Sequence, residues 1–182
     1  GEFRNYRIPG PMGPNPMIAA FWDDLATHAG SGIYTWYDQD NHAFVIEWYN
    51  MRNGYNGSSE ETFQIILYDQ SVHSTSLGDG PIKIQYETFN NVNSSTSTYN
   101  HGCYSTIGIE DHTGMVGLEY TFSNQYPDAA SPLGHQRAIY ITNVPIYHYE
   151  PHVILNETYI GDDNGNGICE PGETIELGVQ LM

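Results

Sequence analysis

Positive charge is what this sequence has least of. Lys+Arg totals 5 against 22 Asp+Glu in 182 residues, a formal net charge of 5 − 22 = −17. The cations are Lys83, Arg4, Arg7, Arg52 and Arg137, scattered along the chain. Phosphate recognition needs clustered cations, so nucleic acid is excluded as a partner. An anionic membrane surface is excluded on the same ground. Long apolar runs are missing too: nothing approaches the ~18 residues of a transmembrane helix. No signal peptide is visible, but the opening Gly1-Glu2-Phe3 reads as an internal cut, so that lack carries no information. Helical periodicity is absent throughout. So are HExxH, G-x-S-x-G and the phosphate-binding P-loop, the compact signatures of zinc peptidases, serine hydrolases and nucleotide enzymes.

Cysteine is also scarce, with 2 residues, Cys103 and Cys169. In an acidic chain rich in Asn, Gly and Tyr, they read either as a disulfide of an oxidising, extracellular setting or as two partly buried thiols. A Cys103–Cys169 bond would staple the C-terminal segment to the main body.

What is present is a succession of strand patterns. Residues 4–16 hold Pro9, Pro11, Pro14 and Pro16, which block helix and central-strand pairing and predict an extended surface segment. Strands are predicted at 17–24, 32–37, 42–50, 61–69, 81–89, 104–110, 115–122 and 135–143. The segment 81–89 alternates cleanly, with Ile82, Ile84 and Tyr86 inward and Lys83, Gln85 and Glu87 outward. The Asp-Gln-Asp-Asn stretch at 38–41 and the Asp-His-Thr-Gly stretch at 111–114 predict hairpin turns. Residues 90–101 are polar and of low complexity, as in a long exposed loop. After a linker at 145–151, strands follow at 152–160 and 174–181. The expectation is an all-β antiparallel sandwich, jelly-roll-like, with a short two-stranded C-terminal extension. Its parts are an extended segment (1–16), a sandwich domain (17–144), the linker and a terminal hairpin (152–182).

The densest chemistry lies between the last two strands. Asp162, Asn164, Asn166, Gly167 and Glu173 fit the calcium-loop pattern D-x-[DN]-x-[DN]-G-x5-E. Ca2+ takes several oxygen ligands. The alternating Asp162, Asn164 and Asn166 can turn inward together, Gly167 permits the sharp bend, and Ile168 offers its carbonyl. Glu173 closes the site bidentately, with Glu170 direct or through water. The flanks are strands, so a helix-loop-helix switch is not expected. A bound cation would also relieve the self-repulsion of this charge. The alternative is an ordinary polar turn.

Other candidates are weaker. Asp23-Asp24 reads as an acidic strand end or as part of a second cation site. No spacing joins it to Glu47 or Glu61 as a catalytic dyad. The 8 histidines, His101, His112 and His135 among them, read as solvated loop residues. There are 15 tyrosines and 3 tryptophans. Trp22 and Trp48 are expected in the core, whereas Trp36 and Tyr55 are surface candidates for stacking against sugar rings.

The succession IAAFWDDL, GIYTWY, FVIEWYN, ETFQIILYD, IKIQY and STIGIEDHTGMVGLEYTF resembles a β-sandwich accessory module of large secreted bacterial proteins. Such proteins often carry a peptidase domain upstream and immunoglobulin-like domains downstream. The succession is also similar, loosely, to the nidogen-type extracellular domain. DDNGNGICEPGET followed by a strand resembles the opening of an immunoglobulin-like module. The resemblance implies a fragment: one nearly complete sandwich and the first hairpin of a neighbouring domain. It implies a non-catalytic accessory or adhesion module, calcium-stabilised, extracellular, working beside other domains of a larger chain. The alternative is a carbohydrate-binding module facing a polysaccharide or cell-surface ligand, and the remaining one a hydrolase using Asp/Glu residues. Unpaired sheet edges would also allow a dimer.

Overall fold

The computed structural model describes residues 4–54, 59–93 and 103–143, together with the backbone of strands 158–162 and 175–179. The chain divides into two compact units, Gly1–Val144 and Pro145–Met182.

The first unit holds β1 (Met17–Trp22), β2 (Leu25–Ala26), β3 (Gly32–Asp38), β4 (Ala43–Asn53), β5 (Glu60–Tyr68), β6 (Ile82–Thr88), β7 (Thr106–Glu110), β8 (Gly117–Thr121) and β9 (Arg137–Ile141). Two antiparallel sheets form. One has three strands in the order β1-β7-β8; the other has six, running β2-β4-β5-β6-β9 with β3 also paired to β4. There is no helix among the described residues, and the fold is the all-β sandwich expected.

Alternation explains the sandwich. On β5 and β6 every second residue is apolar, so Phe63, Ile65, Ile84 and Tyr86 point the same way and meet Ala20 and Phe21 of β1 and Ile107 of β7. Ile84 and Ile107 are fully buried. Rings fill much of the space: Trp48 stacks on Phe63 at 5.0 Å, Phe21 on Phe63 at 5.7 Å, and Phe89 meets Tyr86 edge-on at 4.9 Å. The buried Tyr86 hydroxyl donates to the Ala20 carbonyl at 2.7 Å, which satisfies its polar tip and ties one sheet to the other. Trp48 thus packs against the core as expected. Trp22 lies at its margin, edge-on to Tyr6 and beneath Gly13. Gly13 has φ +136°, and a Cβ there would come within 2.6 Å of the Trp22 indole.

Both predicted hairpin turns form on Asp side chains. Asp38 Oδ1 accepts from the backbone N–H of Asp40 and Asn41, closing β3 onto β4. Asp111 does the same for Thr113 and Val116 between β7 and β8, with Gly114 at φ +66°.

The proline-rich segment is more deeply seated than a surface strap. Ile8 and Asn5 are buried. Its prolines cannot join a ladder, so side chains of the three-stranded sheet satisfy its backbone instead. Ile8 N–H donates to Glu119 and Gly10 N–H to Glu110, while Asn5 Nδ2 donates to the Tyr104 carbonyl and to Thr106 Oγ1. Arg7 adds an ion pair with Glu119 at 2.8 Å. The peptide bonds preceding Pro9 and Pro16 are cis. Likewise, Asn91 in the polar stretch after β6 is buried, and its side chain accepts from the backbone N–H and the hydroxyl of Ser105.

In the second unit β10 (Thr158–Asp162) pairs antiparallel with β11 (Ile175–Val179), Asp162 opposite Ile175. The linker at 145–151 and the first part of the strand expected at 152–160 lie outside the described residues.

Candidate ligand-binding face

The strand registers decide what the outer face of the six-stranded sheet presents. Tyr34 of β3 stands opposite Glu47 of β4, Glu47 opposite Gln64 of β5, and Gln64 opposite Gln85 of β6. The side chains join into a ladder across the strands: Gln64 Nε2 donates to Glu47 Oε1 at 2.9 Å, and Gln85 Nε2 to Gln64 Oε1 at 2.6 Å. The neighbouring row, two residues along, reads Trp36, Val45, Ile66, Lys83 and Tyr140. Val45 is buried at 4% exposure beneath this otherwise solvent-facing row, while Trp36 is 43% and Tyr34 51% exposed. Tyr34 meets Tyr49 edge-on at 6.5 Å, and Tyr68 meets Tyr140 at 6.3 Å. A shallow groove of about 440 Å³ follows the ladder, lined by Glu47, Gln64, Lys83, Gln85 and Glu87 among others.

A second polar cluster is sealed inside. Asp23 turns inward, so the acidic strand end expected at the surface is half wrong. A register shift between Ala19 and Trp22 changes the parity of β1, and Asp23 is left at 9% exposure. Its Oδ1 accepts from the Asp24 N–H at 2.8 Å and from the Cys103 thiol at 3.7 Å. Asp24 accepts from the Gly54 N–H through its carbonyl. Glu61 is fully buried, its two oxygens accepting from the N–H groups of Asn90 and Asn91 at 2.8 and 2.9 Å. Burial, with Asp23 adding repulsion, pushes the Glu61 carboxyl up to about 7 against the pull of those two donors. Burial and the Asp23 charge push the Cys103 thiol up to about 12. Cys103 carries a free thiol that also donates to Asn5 Oδ1 at 3.0 Å. Its expected partner Cys169 lies outside the described residues.

Among the described residues no group of three or more His, Cys, Asp or Glu side chains gathers as a metal site. Of the expected calcium ligands, Asp162 sits at the end of β10, paired with Ile175 of β11. Asn164, Asn166, Ile168, Glu170 and Glu173 lie outside the described residues, as does Tyr55. Trp36 is where the sequence placed it, exposed on a sheet face. The ladder beside it was not anticipated as a site, although the outward position of Gln85 was.

Fold and strand registers together define a two-sheet β-sandwich domain. The chain belongs to the family described as NIDO related, whose model matches residues 3–148, so the likeness to nidogen-type domains holds at the level of the family. No curated protein and no solved structure matches the chain.

Proposed function

We propose that this chain is a non-catalytic accessory module of a secreted or cell-surface protein, stabilised by a calcium ion in the loop 162–173. The observation that supports this reading best is the family itself, matched over residues 3–148. The acidic groups of the first unit fit it. Glu61 is sealed from solvent and its oxygens are taken up by backbone donors, a structural use of a carboxylate rather than a catalytic one. The calcium would be held by Asp162, Asn164, Asn166 and Glu173, with the Ile168 carbonyl and Glu170 completing the shell. Two neutral Asn ligands suit the modest affinity of an extracellular structural site. The partners are neighbouring domains of a larger chain, and the outer edge of β9 is a place where a second copy could pair.

The test is thermal. Calcium at about a hundred times its dissociation constant should stabilise the fold that binds it by about 2.7 kcal/mol through mass action, raising Tm over that in EDTA. Glu173→Gln should lose most of that rise. A Tm identical in EDTA and in millimolar calcium would remove calcium from the account.

One observation favours a second reading, a carbohydrate-binding module: exposed Tyr34 and Trp36 lie beside a row of amide and carboxylate side chains on one sheet face.

A further inference from the structure

We infer that the outer face of the six-stranded sheet binds an extended, neutral, β-linked polysaccharide laid across the strands along the row Tyr34–Glu47–Gln64–Gln85. The inference rests on the carbohydrate-binding reading and gives it a site, an orientation and a class of glycan.

Spacing comes first. Glu47, Gln64 and Gln85 stand on three successive strands, one strand apart, which is ~4.8 Å per step. That is close to the length one pyranose ring adds to an extended β-linked chain. A glycan crossing the strands therefore meets one polar side chain per sugar, in step over the whole row. A glycan running along a strand meets like-facing side chains every ~6.8 Å and falls out of step.

The hydrogen-bonding chemistry matches. A glutamine amide has two N–H donors and a two-lone-pair oxygen, and the ladder uses only part of that capacity. Gln64 gives one N–H to Glu47 and accepts one from Gln85. The second N–H of each amide, the Gln85 oxygen and the second Glu47 oxygen are left to meet a ligand. Because the ladder fixes the side chains against one another, little rotamer freedom is lost on binding. Sugar hydroxyls, which donate and accept at once, suit this alternation of amide and carboxylate.

The rings supply the apolar half. At one end of the row Tyr34 and Trp36 stand 51% and 43% exposed on the edge strand, where a sugar can rest its C–H face. Tyr140 lies at the other side of the sheet, 47% exposed.

Charge selects the class. A chain of net charge −17 repels polyanions such as uronate or sulfated glycans. The row itself is mostly uncharged amide, and the groove along it carries Lys83 and Arg137 as well as Glu47 and Glu87. A neutral glycan pays no such repulsion.

The experiment is affinity electrophoresis of the full chain through gels containing hydroxyethylcellulose, arabinoxylan or, as the polyanionic comparison, alginate. Retardation in the neutral gels is expected. Trp36→Ala should lower the association constant roughly tenfold and Gln64→Ala roughly two- to tenfold. Leu118→Ala, an exposed change on the other sheet, should leave it at the wild-type value. Far-UV circular dichroism and Tm establish that each variant folds. Should Trp36→Ala not fold, Tyr34→Ala and Gln85→Ala are expected to show the same losses. Retarded wild type with Trp36, Tyr34, Gln64 and Gln85 variants unchanged would overturn the site while leaving carbohydrate binding intact. Retardation by alginate alone would overturn the neutral class. Free migration in all three gels would overturn both the inference and the reading beneath it.

Discussion

Glu61 gives the sharpest test of the packing described above. Its carboxyl has no exposed surface and is pushed from an ordinary 4.5 up to about 7, first by burial and then by Asp23. A folded-state value above the unfolded one means that the folded protein holds the proton more tightly. The corresponding stability is complete below about pH 4.5 and is lost as pH rises through about 7. A shift of about 2.5 units at ~1.36 kcal/mol per unit amounts to about 3 kcal/mol. Glu61→Gln keeps the shape and one acceptor for the Asn90 and Asn91 N–H groups but does not titrate. Urea unfolding of both proteins, followed by tryptophan fluorescence between about pH 5 and about pH 8, isolates the effect. The wild type should lose about 2–3 kcal/mol relative to Glu61→Gln across that range. Acidic groups far from Glu61 titrate alike in both proteins and cancel in the difference, leaving Glu61 and its charge coupling to Asp23. Parallel curves would mean that Glu61 reaches solvent or is already ionised at pH 5, and the sealed cluster with Asn90, Asn91 and Asp23 would have to be abandoned.

Two further outcomes follow from the core. Ile84 is fully buried at the centre of the sandwich, so Ile84→Ala should cost about 3 kcal/mol in urea unfolding with an unchanged m-value; a loss under about 1 kcal/mol would show that the two sheets do not close over it. The Cys103 thiol, buried and held up to about 12, should react with a disulfide reagent at least about a hundredfold more slowly than an unfolded control in a Cys169→Ser background; equal rates would place it at the surface.

The strands were legible because their alternation is strong. In IKIQYET the apolar positions fall at every second residue, and β6 spans Ile82–Thr88 with Ile84 and Tyr86 inward. The hairpin turns were legible because Asp38 and Asp111 sit where an Asx side chain can catch the following N–H groups. Register was not legible. Whether Glu47, Gln64 and Gln85 share a row depends on how β4, β5 and β6 slide past one another, including the shifts between Trp48 and Met51 and between Thr62 and Phe63. Each strand shows only that its own polar residue faces outward. The inward turn of Asp23 was hidden for a related reason, because one irregularity in β1 reverses the parity of everything after it. The prolines of residues 4–16 announced an extended path but not the carboxylates of Glu110 and Glu119 that pair its backbone. The proposed calcium loop is the clearest pattern in the sequence, and it lies between β10 and β11.

The proposed module is non-catalytic, and its outer sheet face is proposed to bind a glycan without cutting it. Isothermal titration of the full chain with hydroxyethylcellulose, followed by a reducing-sugar assay on the same cell contents after prolonged incubation, tests it most directly. The account predicts saturable heat of binding, diminished in Trp36→Ala, and no new reducing ends. Reducing ends that accumulate with the wild type and vanish with Asp23→Asn or Glu61→Gln would contradict it and make the buried acidic pair a catalytic one.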